Sequence, residues 1–285
     1  MNNILVTGAN GQLGKTFQAL AKKYTNYRFH FCRSDTLDIT NTTALNNFID
    51  EKNINILINC AAYTAVDNAE DDQERANAIN HIAVTKMAEI AKNKDLKLIH
   101  FSTDYVFNGK GHRPYDETEK TDPIGIYGAT KDKGEKSILR VNPNNCLIIR
   151  TAWVYAEFGN NFVKTMLKLG TERDQLSIVC DQIGSPTYAK NLAETVLNIL
   201  PKINHSGTEI LHFTNEGVCS WYDFTKAIFE IKQINCEVNA IPSSAYPTKA
   251  KRPYYSVLSK EKIKNTYHIQ IPYWKDALME CLEKL

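Results

Sequence analysis

The first fourteen residues constrain this chain more than any other stretch. Asn3-Ile4-Leu5-Val6-Thr7 is a short apolar, β-rich run, and it leads without a spacer into Gly8-Ala9-Asn10-Gly11-Gln12-Leu13-Gly14, the head of an amphipathic helical pattern. A strand, a turn with glycines three apart and a helix, in that order, make the phosphate-binding start of a dinucleotide fold. Gly8 lets the chain turn sharply off the strand, Gly11 lets backbone approach a pyrophosphate with no Cβ in the way, and Gly14 permits close helix-to-strand packing. The phosphates then meet unpaired N–H groups and the positive end of the helix dipole. Asn10, Gln12 and Leu13 belong to the same loop. No Gly-Lys-Ser/Thr ending follows, so the loop is not that of a nucleoside-triphosphatase.

The first half continues in the same rhythm. Strand candidates at residues 27–31, 54–59, 96–101 and 146–150 alternate with stretches long enough for crossover helices, the first running to about Lys23. This predicts an α/β fold: a Rossmann-type, doubly wound parallel sheet that binds ligands beyond the carboxyl ends of its strands. After Thr151 the pattern is broken by Gly184, Pro186, Pro201, Gly207, Pro242, Pro247 and Pro253. Residues 1–151 are therefore expected to form the dinucleotide-binding core. Residues 152–285 are expected to form mainly a smaller substrate-binding lobe, with some segments returning to the core. No repeat or Gly/Ser-rich linker separates them, which predicts one compact body.

Charge and cysteine usage exclude several function classes. A formal charge of +2 with basic and acidic residues interspersed offers no stripe for a phosphate backbone, so nucleic acid is not an expected partner. No apolar run reaches bilayer length, and residues 3–7 run into Gly8 rather than a small-residue cleavage site. A cytoplasmic protein with no membrane partner is expected. The seven cysteines stand singly, with no Cys-x-x-Cys pair and no histidine cluster, which predicts free thiols and no metal site from residue pattern.

Further residues point to the cofactor's other parts. The second strand ends Phe31-Cys32-Arg33-Ser34, where an acidic residue often holds the ribose of NAD; Arg33 points either to the 2′-phosphate of NADPH or to a solvated surface arginine. Asp38-Ile39 and Asn59-Cys60-Ala61-Ala62 fall where the loops after the second and third strands approach adenine and ribose.

Chemistry is carried by two segments. Leu98-Ile99-His100-Phe101-Ser102-Thr103-Asp104 is a strand that delivers hydroxyls at its carboxyl end. About two dozen residues on, Tyr127 and Lys131 sit four apart on one helical face, with Thr121-Asp122-Pro123 expected to cap and open that helix. A free tyrosine has a pKa of about 10 and serves poorly as an acid or base at neutrality. A nearby ammonium lowers it. For carbonyl reduction, hydride passes from a nicotinamide to the carbonyl carbon, Tyr127 protonates the developing alkoxide, Thr103 bonds the same oxygen and Lys131 also holds the nicotinamide ribose.

Four segments, Thr7 to Gly14, Ala61-Ala62-Tyr63-Thr64-Ala65-Val66-Asp67, Ser102-Thr103-Asp104-Tyr105-Val106-Phe107 and Arg150-Thr151-Ala152-Trp153-Val154-Tyr155, together with Asp181 to Thr187 and Arg252-Pro253, resemble the dTDP-4-dehydrorhamnose reductase family over essentially the whole chain. The resemblance implies reduction of the 4-keto group of a dTDP-linked 6-deoxyhexulose, the last step of that nucleotide-sugar pathway, by NADPH or NADH. It implies dinucleotide contacts at Gly11, Gln12, Leu13, Asp38, Ile39, Ala62, Tyr63 and Thr64. Tyr127 and Lys131 carry over as catalytic and cofactor-binding, and Thr103, Asp104 and Trp153 as sugar contacts. An aromatic face at Trp153 suits the apolar side of a sugar ring, and a core or interface aromatic is the other reading. Described members include magnesium-dependent dimers whose metal is held by glutamates near the first helix and at the chain's end, so the resemblance allows Mg2+; this sequence departs from it with Lys15-Thr16 just after the glycine loop, which argues against that metal and that dimer, and monomer and homodimer both stay open.

Related dehydratases carry Thr-Asp-Glu where this chain has Thr103-Asp104-Tyr105, which argues for a simple reductase. A reductase yielding the 6-deoxytalose epimer and a redox-silent cofactor-binding subunit, similar to the regulatory subunit of a methionine adenosyltransferase, are the rival readings. The stretch 243–256, with Tyr246, Arg252, Tyr254 and Tyr255 between prolines, is expected either to close over the substrate nucleotide with Arg252 on a phosphate, or to be a structural loop.

Overall fold

A computed structural model describes all 285 residues. The strands, in chain order, are β1 (Asn2–Thr7), β2 (Tyr27–Phe31), β3 (Ile54–Asn59), β4 (Lys97–Thr103), β5 (Cys146–Thr151), β6 (Val154–Tyr155), β7 (Gln175–Val179), β8 (Ile183–Gly184), β9 (Thr187–Tyr188), β10 (Thr208–His212), β11 (Cys219–Ser220) and β12 (Glu237–Ile241). The α-helices are α1 (Gln12–Ala21), α2 (Thr42–Glu51), α3 (Val66–Ala69), α4 (Gln73–Asn77), α5 (Ala83–Lys94), α6 (Ile126–Val141), α7 (Phe162–Glu172), α8 (Ala189–Ile199), α9 (Trp221–Lys232), α10 (Glu261–Tyr267) and α11 (Trp274–Leu282). None is long and apolar enough to cross a membrane.

Six strands form one parallel sheet in the order β2-β1-β3-β4-β5-β10. A parallel sheet needs helices on both faces, and its strands then read as unbroken apolar runs because alternate side chains are buried on opposite sides. Ile4, Val6, Ile58, Ile99, Phe101 and Ile149 meet Phe17 and Leu20 of α1, Leu192 and Val196 of α8 and Ile263 of α10. Leu5, Leu57, Leu98 and Ile148 meet Leu45 of α2, Val84 and Met87 of α5 and Ile138 of α6. A third cluster gathers Val163, Met166, Phe224, Ile228 and Leu278 from α7, α9 and α11 with Leu176 and Val238 of β7 and β12.

The chain changes direction across the sheet between β1 and β3, whose shared carboxyl end is where such folds hold ligands. Two boundaries differ from expectation. β4 runs on to Thr103, keeping in register with β5 as far as Thr151. α6 starts at Ile126 behind Gly125, with no cap from Thr121 or Asp122. Its first N–H is instead taken by the Glu70 carboxylate (2.9 Å), and Asp122 is turned away to Asn108 (3.1 Å).

Candidate active site

Beyond the carboxyl ends of β1 and β3 opens a cleft of about 480 Å³. Gly8, Asn10, Gly11, Asp38, Ile39, Ala61, Ala62, Tyr63 and Thr64 line it, as do Ser34, Leu37 and Arg75. Gly8 has φ +63°, and a Cβ there would lie 2.6 Å from the Ala61 backbone nitrogen, so the turn off β1 closes against the loop after β3 only without a side chain. The first turn of α1 carries no acidic residue, and its cap, Gly11, offers no side-chain acceptor. The leading N–H groups of that helix are thus left for an anion. A dinucleotide would fit this donor set, with its pyrophosphate at the head of α1 and its adenosine between Asp38-Ile39 and Ala61-Ala62. Gly8→Ala is expected to lower stability by more than about 1 kcal/mol through its left-handed backbone alone, and to weaken NADPH binding, read by thermal melting and by fluorescence titration.

Not every expected cofactor residue faces the cleft. Arg33 is held by Asp35, two residues on, through Nε (3.0 Å) and Nη2 (2.7 Å), in a pair half-exposed to solvent. Its neighbour Ser34 lines the cleft instead. Gln12 reaches away from the cleft to the Val154 carbonyl (3.4 Å) and Asn161 (3.0 Å). Leu13 packs on the sheet, and Gly14 is buried inside the first turn of α1.

Thr103, Asp104, Tyr127 and Lys131 converge where β4 ends against α6. Thr103 donates to Asp104 Oδ1 (3.0 Å) and accepts from the Tyr105 N–H (3.2 Å). The Tyr127 ring lies edge-on to Tyr105, centroids 5.5 Å apart. Gly128, next to it, lets α6 press onto this turn, since a Cβ there would sit 2.2 Å from the Tyr105 carbonyl. Lys131 is 1% exposed, with its Nζ on the Phe101 carbonyl (2.6 Å) and His100 Nε2 (3.2 Å). The expected net lowering of Tyr127 is not found: dense protein around the phenol pushes it up to about 12, with the Thr103 hydroxyl pulling down and Asp104 pushing up. A phenol so raised keeps its proton at neutrality and could pass it to a bound carbonyl. Burial brings Lys131 down to about 8 against the pull of Glu135, and raises Asp104 to about 6 against hydrogen bonds from Ser256 and Thr103.

Trp153 follows β5 with φ +50°, a backbone conformation that costs an aromatic residue on the order of 1–3 kcal/mol. Its indole lies flat on Trp221 at the head of α9, centroids 3.5 Å apart, with its edge on Gly184. Trp221 Nε1 donates to Gln182 (3.2 Å).

A family model described as the RmlD substrate binding domain matches residues 1–285. The dTDP-4-dehydrorhamnose reductase of Aggregatibacter actinomycetemcomitans is 42% identical, covering 98% of this chain and 97% of that protein. The chain belongs to the dTDP-4-dehydrorhamnose reductase family. Crystal structures named as such reductases superpose closely: one from Clostridium acetobutylicum with a TM-score of 0.93, 40% identity and coverage of 99% and 98%, and one from Bacillus anthracis in complex with NADP with 0.95, 36% and full coverage of both chains.

In this reductase the irregular stretch after β12 walls a second recess of about 650 Å³, lined among others by Asn108, Gln182, Ser243, Tyr246, Lys251 and Arg252. Arg252 Nη2 meets Asp67 (2.6 Å) at the start of α3, whereas its buried Nη1 has no partner. No three His, Cys, Asp or Glu side chains come close enough to hold a metal. Several residues of the site escaped the sequence reading. Arg75 lies among acidic neighbours that mask it, and Trp221 had only its position after Ser220 at a helix start to mark it. Asn80 sits in a π-helical turn (Ala78–Ile82), where its side chain holds both Tyr63 N (2.9 Å) and Tyr63 O (3.0 Å) and also reaches Thr130 (3.2 Å). Such turns collect at functional sites, and this one ties the cofactor loop to α6.

Proposed function

We propose that this chain reduces the 4-keto group of dTDP-4-dehydro-6-deoxy-L-mannose to give dTDP-L-rhamnose, with NADPH or NADH as reductant. The observation that carries the reading is the convergence of the Tyr127 phenol with Thr103 and Asp104 at the carboxyl end of β4, next to a cleft whose lining suits a dinucleotide. Bound in that cleft, the dihydronicotinamide supplies the hydride that reaches the keto carbon. The residues do the rest. The head of α1 holds the pyrophosphate, and Asp38, Ile39 and the loop Ala61 to Thr64 flank the adenosine. Tyr127 gives its proton to the keto oxygen as charge grows there, and Thr103 bonds the same oxygen, so no free alkoxide forms. Lys131, when protonated, offers the ammonium that stabilises the phenolate left behind. Trp153, stacked on Trp221, gives the sugar a flat apolar wall, and Asp104 a polar one.

Purified protein with NADPH and dTDP-4-dehydrorhamnose is expected to consume nicotinamide absorbance and yield dTDP-L-rhamnose by NMR. The C4 epimer as product, or NADPH binding without turnover, would overturn the assignment. For the nucleotide end we place a substrate phosphate on Arg252, whose buried Nη1 lacks a partner. Hydrogen bonds to charged groups contribute about 1.5–3 kcal/mol, so Arg252→Ala is expected to raise the sugar-nucleotide KM roughly tenfold or more and leave that of NADPH alone. An unchanged KM for the sugar nucleotide removes Arg252 from the substrate site. We place the enzyme in the cytoplasm, where its seven free cysteines stay reduced, as a monomer or homodimer.

A further inference from the structure

A line of buried polar side chains crosses the sheet beneath the site. The Thr7 hydroxyl at the end of β1 donates to Asn59 Oδ1 on β3 (2.7 Å), Asn59 Nδ2 meets His100 Nδ1 on β4 (3.0 Å), and His100 Nε2 meets Lys131 Nζ on α6 (3.2 Å). Each of the four residues is 1% exposed, so their polar atoms must satisfy one another.

The donors decide where the protons sit. The Ala61 backbone N–H can only donate, and it points at Asn59 Oδ1 (3.1 Å). Oδ1 is thereby the acceptor and the amide NH2 faces His100, whose Nδ1 must accept. A neutral imidazole has one donor and one acceptor, which leaves the proton on Nε2, facing Lys131. An ammonium there would meet a donor with a donor. An uncharged amine accepts from Nε2–H and still donates to the Phe101 carbonyl (2.6 Å).

We infer that His100, locked by Asn59 with its proton on Nε2, is a positioning residue that seats Lys131 and favours its uncharged amine, so that the sheet interior governs when the ammonium is available to Tyr127. The inference rests on the reductase reading of the site. Burial, and next the charge of Lys131, hold His100 well below the usual imidazole range, and Lys131 itself is down at about 8. The charges around Lys131 are few. Glu135, one turn along α6, favours the ammonium, but its carboxylate is engaged by Arg150 of β5 (2.7 Å). Asp132 is paired with Lys136 (2.5 Å). Asp104 and Tyr127 stand on the site side. The buried face of α5 presents Ala83, Val84 and Met87, and Cys60 packs on the opposite face of the sheet.

The tautomer can be read without turnover by 15N NMR of the imidazole in the wild-type chain, assigned through its bonded backbone resonances. A protonated Nε2 and a bare Nδ1 across the neutral range are expected; a protonated Nδ1 overturns the inference. The consequence is read in the pH profile for reduction. Activity needs the ammonium, so it is present below the Lys131 value of about 8 and lost above it. In His100→Gln the carboxamide oxygen can accept from the ammonium, and the alkaline limb of kcat is expected to move up by about one pH unit, roughly a tenfold gain on the far side of the wild-type limb, with the NADPH KM within about twofold. A kcat lowered equally at every pH with an unmoved limb would mean that His100 only fills space. A chain that reduces no deoxyhexulose would sink the reductase reading and leave the tautomer result standing.

Discussion

Tyr127→Phe is expected to lower kcat by about two to four orders of magnitude, roughly 3–5 kcal/mol in the barrier, while NADPH still binds and the melting temperature stays put. The change removes one oxygen from a ring that already packs edge-on against Tyr105 at 5.5 Å, so α6 has no reason to move. What disappears is the proton of a phenol held at about 12, which no other group beside the keto oxygen can replace. Thr103 can turn its hydroxyl from Asp104 to the keto oxygen but, as an aliphatic alcohol, gives up no proton there, and Lys131 is bonded to the Phe101 carbonyl. Steady-state kinetics with a parallel NADPH titration make the check. A loss of less than about tenfold would assign the proton to water or to Asp104, whose carboxyl at about 6 is partly protonated near neutrality.

The second large effect is on stability. Arg150 on β5 grips the Glu135 carboxylate of α6 with Nε (3.1 Å) and Nη2 (2.7 Å), in a pair whose side chains are 3% and 1% exposed, with the Phe107 ring 5.1 Å from the guanidinium. Glu135→Leu strands a buried cation and is expected to cost about 3–5 kcal/mol, a fall in melting temperature on the order of 10 °C. Adding Arg150→Met removes the stranded charge, and the double variant is expected to regain most of the loss, because well-packed apolar pairs replace buried ion pairs at little or no cost. Thermal melts of the two single variants and the double variant decide it. Equal melting of Glu135→Leu and the double variant would show that the cation finds another partner, the nearest being His212 Nε2 at 3.3 Å from Nη1.

The parts of the site that were legible in the sequence are those built from neighbours along the chain. The Gly8 turn, the hydroxyl ending of β4 and the Tyr127–Lys131 spacing each need only one strand or one helical face, and local sequence encodes such units directly. The parts that were not legible depend on residues far away. The helix bearing Tyr127 is headed by Glu70 from another loop rather than by Asp122, a substitution no local pattern announces. Of the two readings of Arg33 neither is decided by local pattern, and in the structure it is paired with Asp35, two residues on, at the protein surface. Asn59 reads as the head of a cofactor loop and His100 as an ordinary member of an apolar strand, because a strand buried on both faces gives no alternation to show that one side chain meets a lysine across the sheet. The backbone strain at Trp153 is likewise visible only once Trp221 is set against it.

The outermost strand of the sheet has a consequence during synthesis. β10 pairs with β5, yet 56 residues separate Thr151 from Thr208. At about 5–20 residues per second, a ribosome leaves the β5 edge without its neighbour for roughly 3–11 s. That edge is Cys146-Leu147-Ile148-Ile149, an uncharged run of β-rich residues of the kind that recruits foreign strands. The nascent chain thus passes through an interval in which this apolar strand has one open side, and slowing translation between Thr151 and His212 would lengthen that interval and lower the yield of folded enzyme without altering a single residue of it.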